Sequence, residues 1–444
     1  MTLRTVVRTF RLFQRPRRLL LAAALCWCGL VDQQGFAGEP AGRPLAPPTR
    51  QAKADGKELF TREWLPSDPR AHGGDGLGPV FNDSSCAGCH NQGGLGGAGA
   101  KSKNVSLVIP LEASRGGGFV LHRFGVHEQF AAWRAGQLAG NMGQRKVNPG
   151  GAVVDTFLQG NKRLVQRNTT ALFGAGKIDA IDERVILAAA EQKFPDYPEI
   201  TGRASRLEQG RVGRFGWKGQ IADLNDFVLT ACSVELGLHV PAKEQTSVPF
   251  DKNYKAPGLD MNNVECEALM RFVHDLPVPR RQKPSHEAAE KYLAEGEKLF
   301  AAVGCATCHV PKLGEVEGIY SDLLLHDMGQ NLSDSPAGGV GFSYGGAPPS
   351  TPIQPKKPKI EEVAAKRRPV PEPASVSEWR TPPLWGVRDS APYLHDGRAD
   401  TLDEAIGLHA GEAERSRAKF AALKHEEKQK LLAFLHSLVA PEVK

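Results

Sequence analysis

The 444-residue sequence predicts a mainly helical chain with few, short strands, built from two related halves. Three observations predict it: a Cys-x-x-Cys-His pentapeptide that occurs twice, short segments that recur in the same order in both halves, and apolar residues at helical spacing with scarce period-two alternation.

The pentapeptides are Cys86-Ala87-Gly88-Cys89-His90 and Cys305-Ala306-Thr307-Cys308-His309. Two cysteines three apart suit addition to the two vinyl groups of one haem, and the histidine that follows is placed to bind the iron. A zinc knuckle or a redox disulfide is the alternative for a Cys-x-x-Cys pair, but each needs partners that this chain places badly. The expectation is two covalently bound c-type haems, with His90 and His309 as first axial ligands. The fold class narrows to two cytochrome c-like haem domains related by internal duplication.

Residues 1–37 read as a signal peptide. Arg4, Arg8, Arg11, Arg15, Arg17 and Arg18 precede an apolar run over 19–25 and a small-residue site near Ala37. Covalent haem attachment goes with an oxidising compartment, so a periplasmic or otherwise exported product is expected. The segment carries six Arg and one Asp of the chain's 56 basic and 50 acidic residues, which leaves 50 and 49. A near-neutral product of about 400 residues recommends neither nucleic acid nor a membrane surface as partner, and no later stretch is apolar over the ~20 residues of a span.

The first domain is expected over 52–276. Gly56-Lys57-Glu58-Leu59-Phe60 precedes its haem motif, as Gly296-Glu297-Lys298-Leu299-Phe300 precedes the other. Arg167, Thr169, Leu172, Phe173 and Gly174 recur in kind as Arg380, Pro382, Leu384, Trp385 and Gly386. Gly219, Leu224 and Asp226 recur as Gly397, Leu402 and Glu404, and Phe272, His274 and Leu276 as Phe434, His436 and Leu438. Helix is expected near 181–192 and around Leu431, Leu435 and Leu438, and loop over the Gly-rich run 93–99. Pro277, Pro279 and Pro284 mark a linker over 277–285, and the second domain follows over 286–440. Its Pro-rich insertion, 331–377, is expected to be a mobile spacer.

Whether each haem can react depends on its second axial position. Aligning the halves at Gly219 and Gly397 sets His409 opposite Ala231. If His409 binds the second iron, that haem is closed and suited to electron transfer, whereas the first is open to a small oxidant. The alternatives are a surface His409, or a first iron closed by His72, His122, His127, His239 or Met142. Glu235 is the best acid for the first pocket, since peroxide cleavage requires a proton to move from the inner to the outer oxygen; a solvated helix-face carboxylate is the other reading. Trp217 is a candidate relay between haems or a core tryptophan. Asp396 and Arg398, beside His395, are candidates to hold haem propionates or to form an exposed turn. Cys232 and Cys266 either pair or stay as buried thiols.

Arg380-Thr381-Pro382-Pro383-Leu384, Ala391-Pro392-Tyr393-Leu394-His395-Asp396-Gly397 and Thr401-Leu402-Asp403-Glu404-Ala405 resemble the second-haem domain of bacterial di-haem cytochrome c peroxidases and of the related methylamine dehydrogenase maturation enzyme. Tyr320-Ser321-Asp322-Leu323-Leu324-Leu325-His326-Asp327-Met328-Gly329 and His409-Ala410-Gly411-Glu412-Ala413 are closer to the di-haem oxidoreductase branch. The resemblance implies an all-α fold with a peroxidatic haem in the first half and an electron-transferring haem in the second. His409 falls where the peroxidases place a methionine ligand, Glu235 where they place a distal acid, and Trp217 where they place a tryptophan between haems. An inter-domain calcium ion also goes with the resemblance, without assigned ligands. The chain departs from the peroxidases after His90, where no displaceable histidine follows, and near Phe227, where a distal glutamine is replaced.

The expected function is a peroxidase-like di-haem oxidoreductase that takes hydrogen peroxide or another oxidant, with electrons from a redox partner protein or small donor. The alternatives are a non-catalytic electron-transfer cytochrome and an oxidant of a larger organic or protein substrate.

Overall fold

Glycines at two helix crossings and aromatic residues one turn away set the frame of the molecule. In the computed structural model residues 50–110, 118–139, 145–147, 153–155, 157–159, 162–248, 250–251, 253–334 and 372–443 are described. The proposed signal segment, Met142 and residues 335–371 of the insertion lie outside them.

Six helices position the site: α1 (Arg50–Thr61), α2 (Leu224–Glu235), α3 (Asn263–His274), α4 (Glu287–Ala302), α5 (Leu402–Gly407) and α6 (His425–His436). Their starts follow from local chemistry. The Asp223 carboxylate accepts the Asp226 amide at the head of α2, and capping boxes open α3 (Asn262 with Glu265) and α5 (Thr401 with Glu404).

Helix α1 packs on α3 and α4 packs on α6. A Cβ on Gly56 would overlap the Ala268 carbonyl oxygen, and one on Gly296 would overlap that of Lys430, so glycine lets each pair of backbones touch. Beside these contacts Phe60 meets Phe272 at 5.2 Å and Phe300 meets Phe434 at 5.4 Å, centroid to centroid. The residues concerned are those that the two halves share in sequence.

Between Gly99 and Thr169 the chain forms a four-stranded antiparallel sheet from β1 (Val105–Pro110), β2 (Phe119–Val120), β3 (Phe157–Gln159) and β4 (Lys162–Arg167), in the order β2-β1-β4-β3. Leu107 lies opposite both Val120 and Val165. A later ribbon pairs β5 (Leu325–Asp327) with β6 (Glu378–Arg380), with His326 opposite Trp379. The other strand segments are two or three residues long, and the run over 93–99 is turn and loop as expected.

The largest apolar cluster joins Phe60, Leu224 and Leu269 to Leu323, Leu324 and Trp385, so the core runs across 277–285. A second cluster centres on Phe300, Leu431 and Phe434. Mobility of the whole insertion 331–377 needs correction at both ends. Asp334 is buried against Arg167, and the Ser375 and Val376 carbonyls accept hydrogen bonds from Lys218. Cys232 and Cys266 are buried free thiols rather than a disulfide. Among the described residues no helix is long and apolar enough to cross a membrane.

Candidate functional site

Each pentapeptide folds so that its histidine points into an apolar cavity. Cys86–Cys89 forms one helical turn, capped by the Ser85 hydroxyl, which accepts the Gly88 amide at 3.0 Å. The His90 amide then donates to the Cys86 carbonyl at 2.9 Å, and the His90 Nδ1–H to the Gly97 carbonyl at 3.1 Å. The second motif repeats the device: the His309 amide donates to Cys305 at 3.0 Å, and its Nδ1–H to the Tyr320 carbonyl at 2.9 Å. Phe60 lies 6.4 Å from the His90 ring and Phe300 lies 6.5 Å from the His309 ring, at tilts of 49° and 53°. A fixed Nδ1 sets the ring orientation and leaves Nε2 as the ligating atom, the usual arrangement around bound metals.

Burial pushes the Cys86 and Cys305 thiols up to about 12 and raises Cys89 and Cys308 as well. Burial also pushes His90 and His309 down to about 4, so both rings are neutral, the state that binds iron.

The first cavity is lined by Cys86, Cys89, His90, Ala231 and Glu235, with Leu107 of the sheet closing one side. Glu235 Oε2 accepts from Asn82 Nδ2 at 2.5 Å, and the Asn82 amide donates to the Glu235 carbonyl at 2.7 Å. The second cavity is lined by Cys305, Cys308, His309, Trp385 and His409. His409 lies two residues past the end of α5; its Nδ1–H donates to the Ala405 carbonyl at 2.7 Å and burial lowers its pKa. The sequence-matched pair thus differs as read: an imidazole in one cavity, a methyl group in the other.

Trp217 lines both cavities, with its Nε1–H donating to the Asn168 carbonyl at 2.8 Å. Its edge meets His395 at 6.4 Å, and His395 stacks on Trp379 at 3.7 Å. On Trp379 rests Lys218 Nζ, 3.4 Å from the ring centroid, and burial pushes that amine down to about 7.

The histidines weighed as rival ligands are engaged elsewhere. His72 meets Glu265 at 2.7 Å, His122 the Val234 carbonyl at 2.7 Å, and His239 the Gly258 carbonyl at 2.8 Å, while His127 packs on the Phe250 ring at 4.9 Å. None lines the first cavity, where His90 stands as the sole histidine among the described residues. Asp396 and Arg398 pair with each other at 2.6 Å and line neither cavity.

Sequence reasoning missed Asn82, Arg380 and a cluster of Asp322, His326 and Glu412. Arg380 is buried in the second cavity and donates from Nε to the Gly216 carbonyl at 2.9 Å. His326 bridges Asp322 at 2.9 Å and Glu412 at 2.7 Å. The motifs at 320–329 and 409–413 contained these residues, but only the fold brings them together.

Two apolar cavities, each with a cysteine pair and an oriented neutral imidazole, offer a donor set that fits haem. The chain belongs to the family described as "Di-haem oxidoreductase, putative peroxidase", which matches residues 143–341 and 365–438. The first pentapeptide lies outside the matched stretch. Among curated proteins the chain is 26% identical over 189 residues to the cytochrome-c peroxidase IdrP2 of Denitromonas iodatirespirans, an alignment covering 41% of this chain and 49% of that protein. The chain thus spans about half the length of that relative. Among solved structures it aligns with hydrazine synthase of Kuenenia stuttgartiensis pressurised with xenon, at 16% identity and TM-score 0.41, over 96% of this chain and 100% of that one. It also aligns with a MauG-like protein associated with microbial copper homeostasis, at 17% identity and TM-score 0.27, over 60% of this chain and 88% of that one. At those scores neither alignment bears on the chemistry.

Proposed function

We propose that this member of the di-haem, peroxidase-like oxidoreductases is an exported enzyme with two covalently held haems of unequal reactivity. The supporting observation is the contrast between Ala231 in the first cavity and His409 in the second. The matched glycine crossings and phenylalanine contacts support two related cytochrome domains, over 52–276 and 286–440.

Haem, when bound, supplies the redox chemistry. The protein's part is to hold and bias it. Cys86, Cys89 and His90 would hold one group, and Cys305, Cys308, His309 and His409 the other. A methyl group at Ala231 would leave room beside the first iron for hydrogen peroxide or another small oxidant. Glu235, oriented by Asn82, would carry a proton between the two oxygens of that oxidant. Such general acid–base help contributes ~10²–10⁴-fold. Trp217, in the wall common to both cavities, would lie between the two groups as a relay for electrons that a redox partner protein or small donor supplies.

Carbon monoxide counts open ferrous haems. One molecule bound per chain in the fully reduced protein is the expected result. None would leave a purely electron-transferring cytochrome, and two would remove the proposed closure by His409.

A further inference from the structure

His409 is held from two sides, and only one of them is local. On the N-terminal side, helix α5 fixes it: the His409 amide donates to Ile406 at 3.1 Å and its ring to Ala405. Beyond His409 the chain turns at Gly411, whose φ of +56° and contact with the Asp327 carbonyl exclude a side chain. The next residue is Glu412. Its Oε1 accepts from the Asp327 amide at 3.2 Å and the Thr201 hydroxyl at 3.3 Å, and its Oε2 from the Thr201 amide at 3.0 Å and His326 Nδ1 at 2.7 Å.

The other nitrogen of His326 faces Asp322 at 2.9 Å, so this imidazole has a carboxylate on each side. Side-chain exposures of 4% for His326, 4% for Asp322 and 12% for Glu412 shield the cluster from water. Ion pairs that are desolvated and fully hydrogen-bonded lock geometry better than exposed ones, because breaking one leaves a charge uncompensated. The three residues come from segments far apart in sequence, β5 with the stretch before it and the turn after α5.

We propose that Glu412 is a positioning residue for His409: with His326, Asp322 and Thr201 it clamps the far side of the His409 turn onto β5, so that the imidazole cannot swing out of the second cavity. This rests on the reading of His409 as second axial ligand. Without the clamp, His409 keeps its attachment to α5 but loses its downstream anchor, and the second haem opens to external ligands for part of the time.

The test is made on haem-loaded protein. His409→Ala examines the underlying reading: it should raise carbon monoxide binding from one to two per chain, and an unchanged count refutes the ligand role itself. Glu412→Ala examines the clamp: it should give a count between one and two, with a weakened low-spin ferric signal. Glu412→Gln keeps one acceptor oxygen but turns an amino group toward the donors on the other, so it should open the second haem in the same sense, with a smaller rise in carbon monoxide bound and a smaller loss of low-spin signal; it also serves if the alanine variant does not fold. A merely structural glutamate would change thermal stability alone. The clamp is overturned if His409→Ala opens the second haem while both Glu412 variants, or the glutamine variant alone if only that one folds, retain one carbon monoxide and the unaltered low-spin signal.

Discussion

Replacement of Glu235 by glutamine separates a proton carrier from a scaffold residue. The side chain keeps its size and an oxygen that can accept from Asn82 Nδ2, which now lies at 2.5 Å, while the Asn82 amide still bonds the Glu235 main chain. The bond from Asn82 survives the change, so the expected loss of stability is about 1 kcal/mol. The carboxyl proton goes completely. If that proton moves in the rate-determining step, peroxide-driven oxidation slows by ~10²–10⁴, or about 3–5 kcal/mol of barrier. Rapid-mixing absorbance of the pre-reduced protein with hydrogen peroxide gives the rate, and absorbance in alkaline pyridine gives the haem content. A rate within a few-fold of the parent at equal haem content would remove Glu235 from the mechanism and leave it as a partner for Asn82.

Other perturbations test the frame. Trp217→Phe loses the bond to the Asn168 carbonyl, about 1 kcal/mol, and should slow electron equilibration between haems after flash release of carbon monoxide without altering the number bound. Gly174→Ala places a Cβ 2.7 Å from the Trp385 ring at φ +69°, and overpacking with backbone strain predicts a loss of about 2–5 kcal/mol by denaturant titration. Asp260 is fully buried, and that burial lifts its carboxyl to about 6 although the Gly76 and His239 amides favour the charged form. Its pKa is raised on folding, so the stability it contributes is present below its ordinary 3.8 and lost as pH rises through about 6. Two pKa units correspond to about 3 kcal/mol. Asp260→Asn should therefore flatten the pH dependence of unfolding between pH 4 and 7 by about that amount, and parallel curves would contradict the assignment.

Motifs held in consecutive residues were legible in the sequence, and so was the difference between His409 and Ala231, which line different cavities. The sheet was not. Leu107 packs against Val120 and Val234 on one side, while its neighbour Val108 packs against Leu121 and Leu164 on the other. A strand covered on both faces shows no alternation. Nor was the wall between cavities legible beyond Trp217. Trp379 and Lys218 meet across 161 positions of chain, and Glu412 reaches His326 across 86, so only the fold reveals the pairs. The ends of the Pro-rich insertion were misjudged for a related reason: composition favours disorder, but Asp334 and the 375–378 carbonyls answer the buried cations Arg167 and Lys218.

Low-temperature electron paramagnetic resonance of the fully oxidised protein tests the central asymmetry most directly. The account predicts equal amounts of one high-spin and one low-spin ferric haem, with His409→Ala converting the low-spin population. Two low-spin haems in the parent protein, each unchanged by loss of His409, would contradict it.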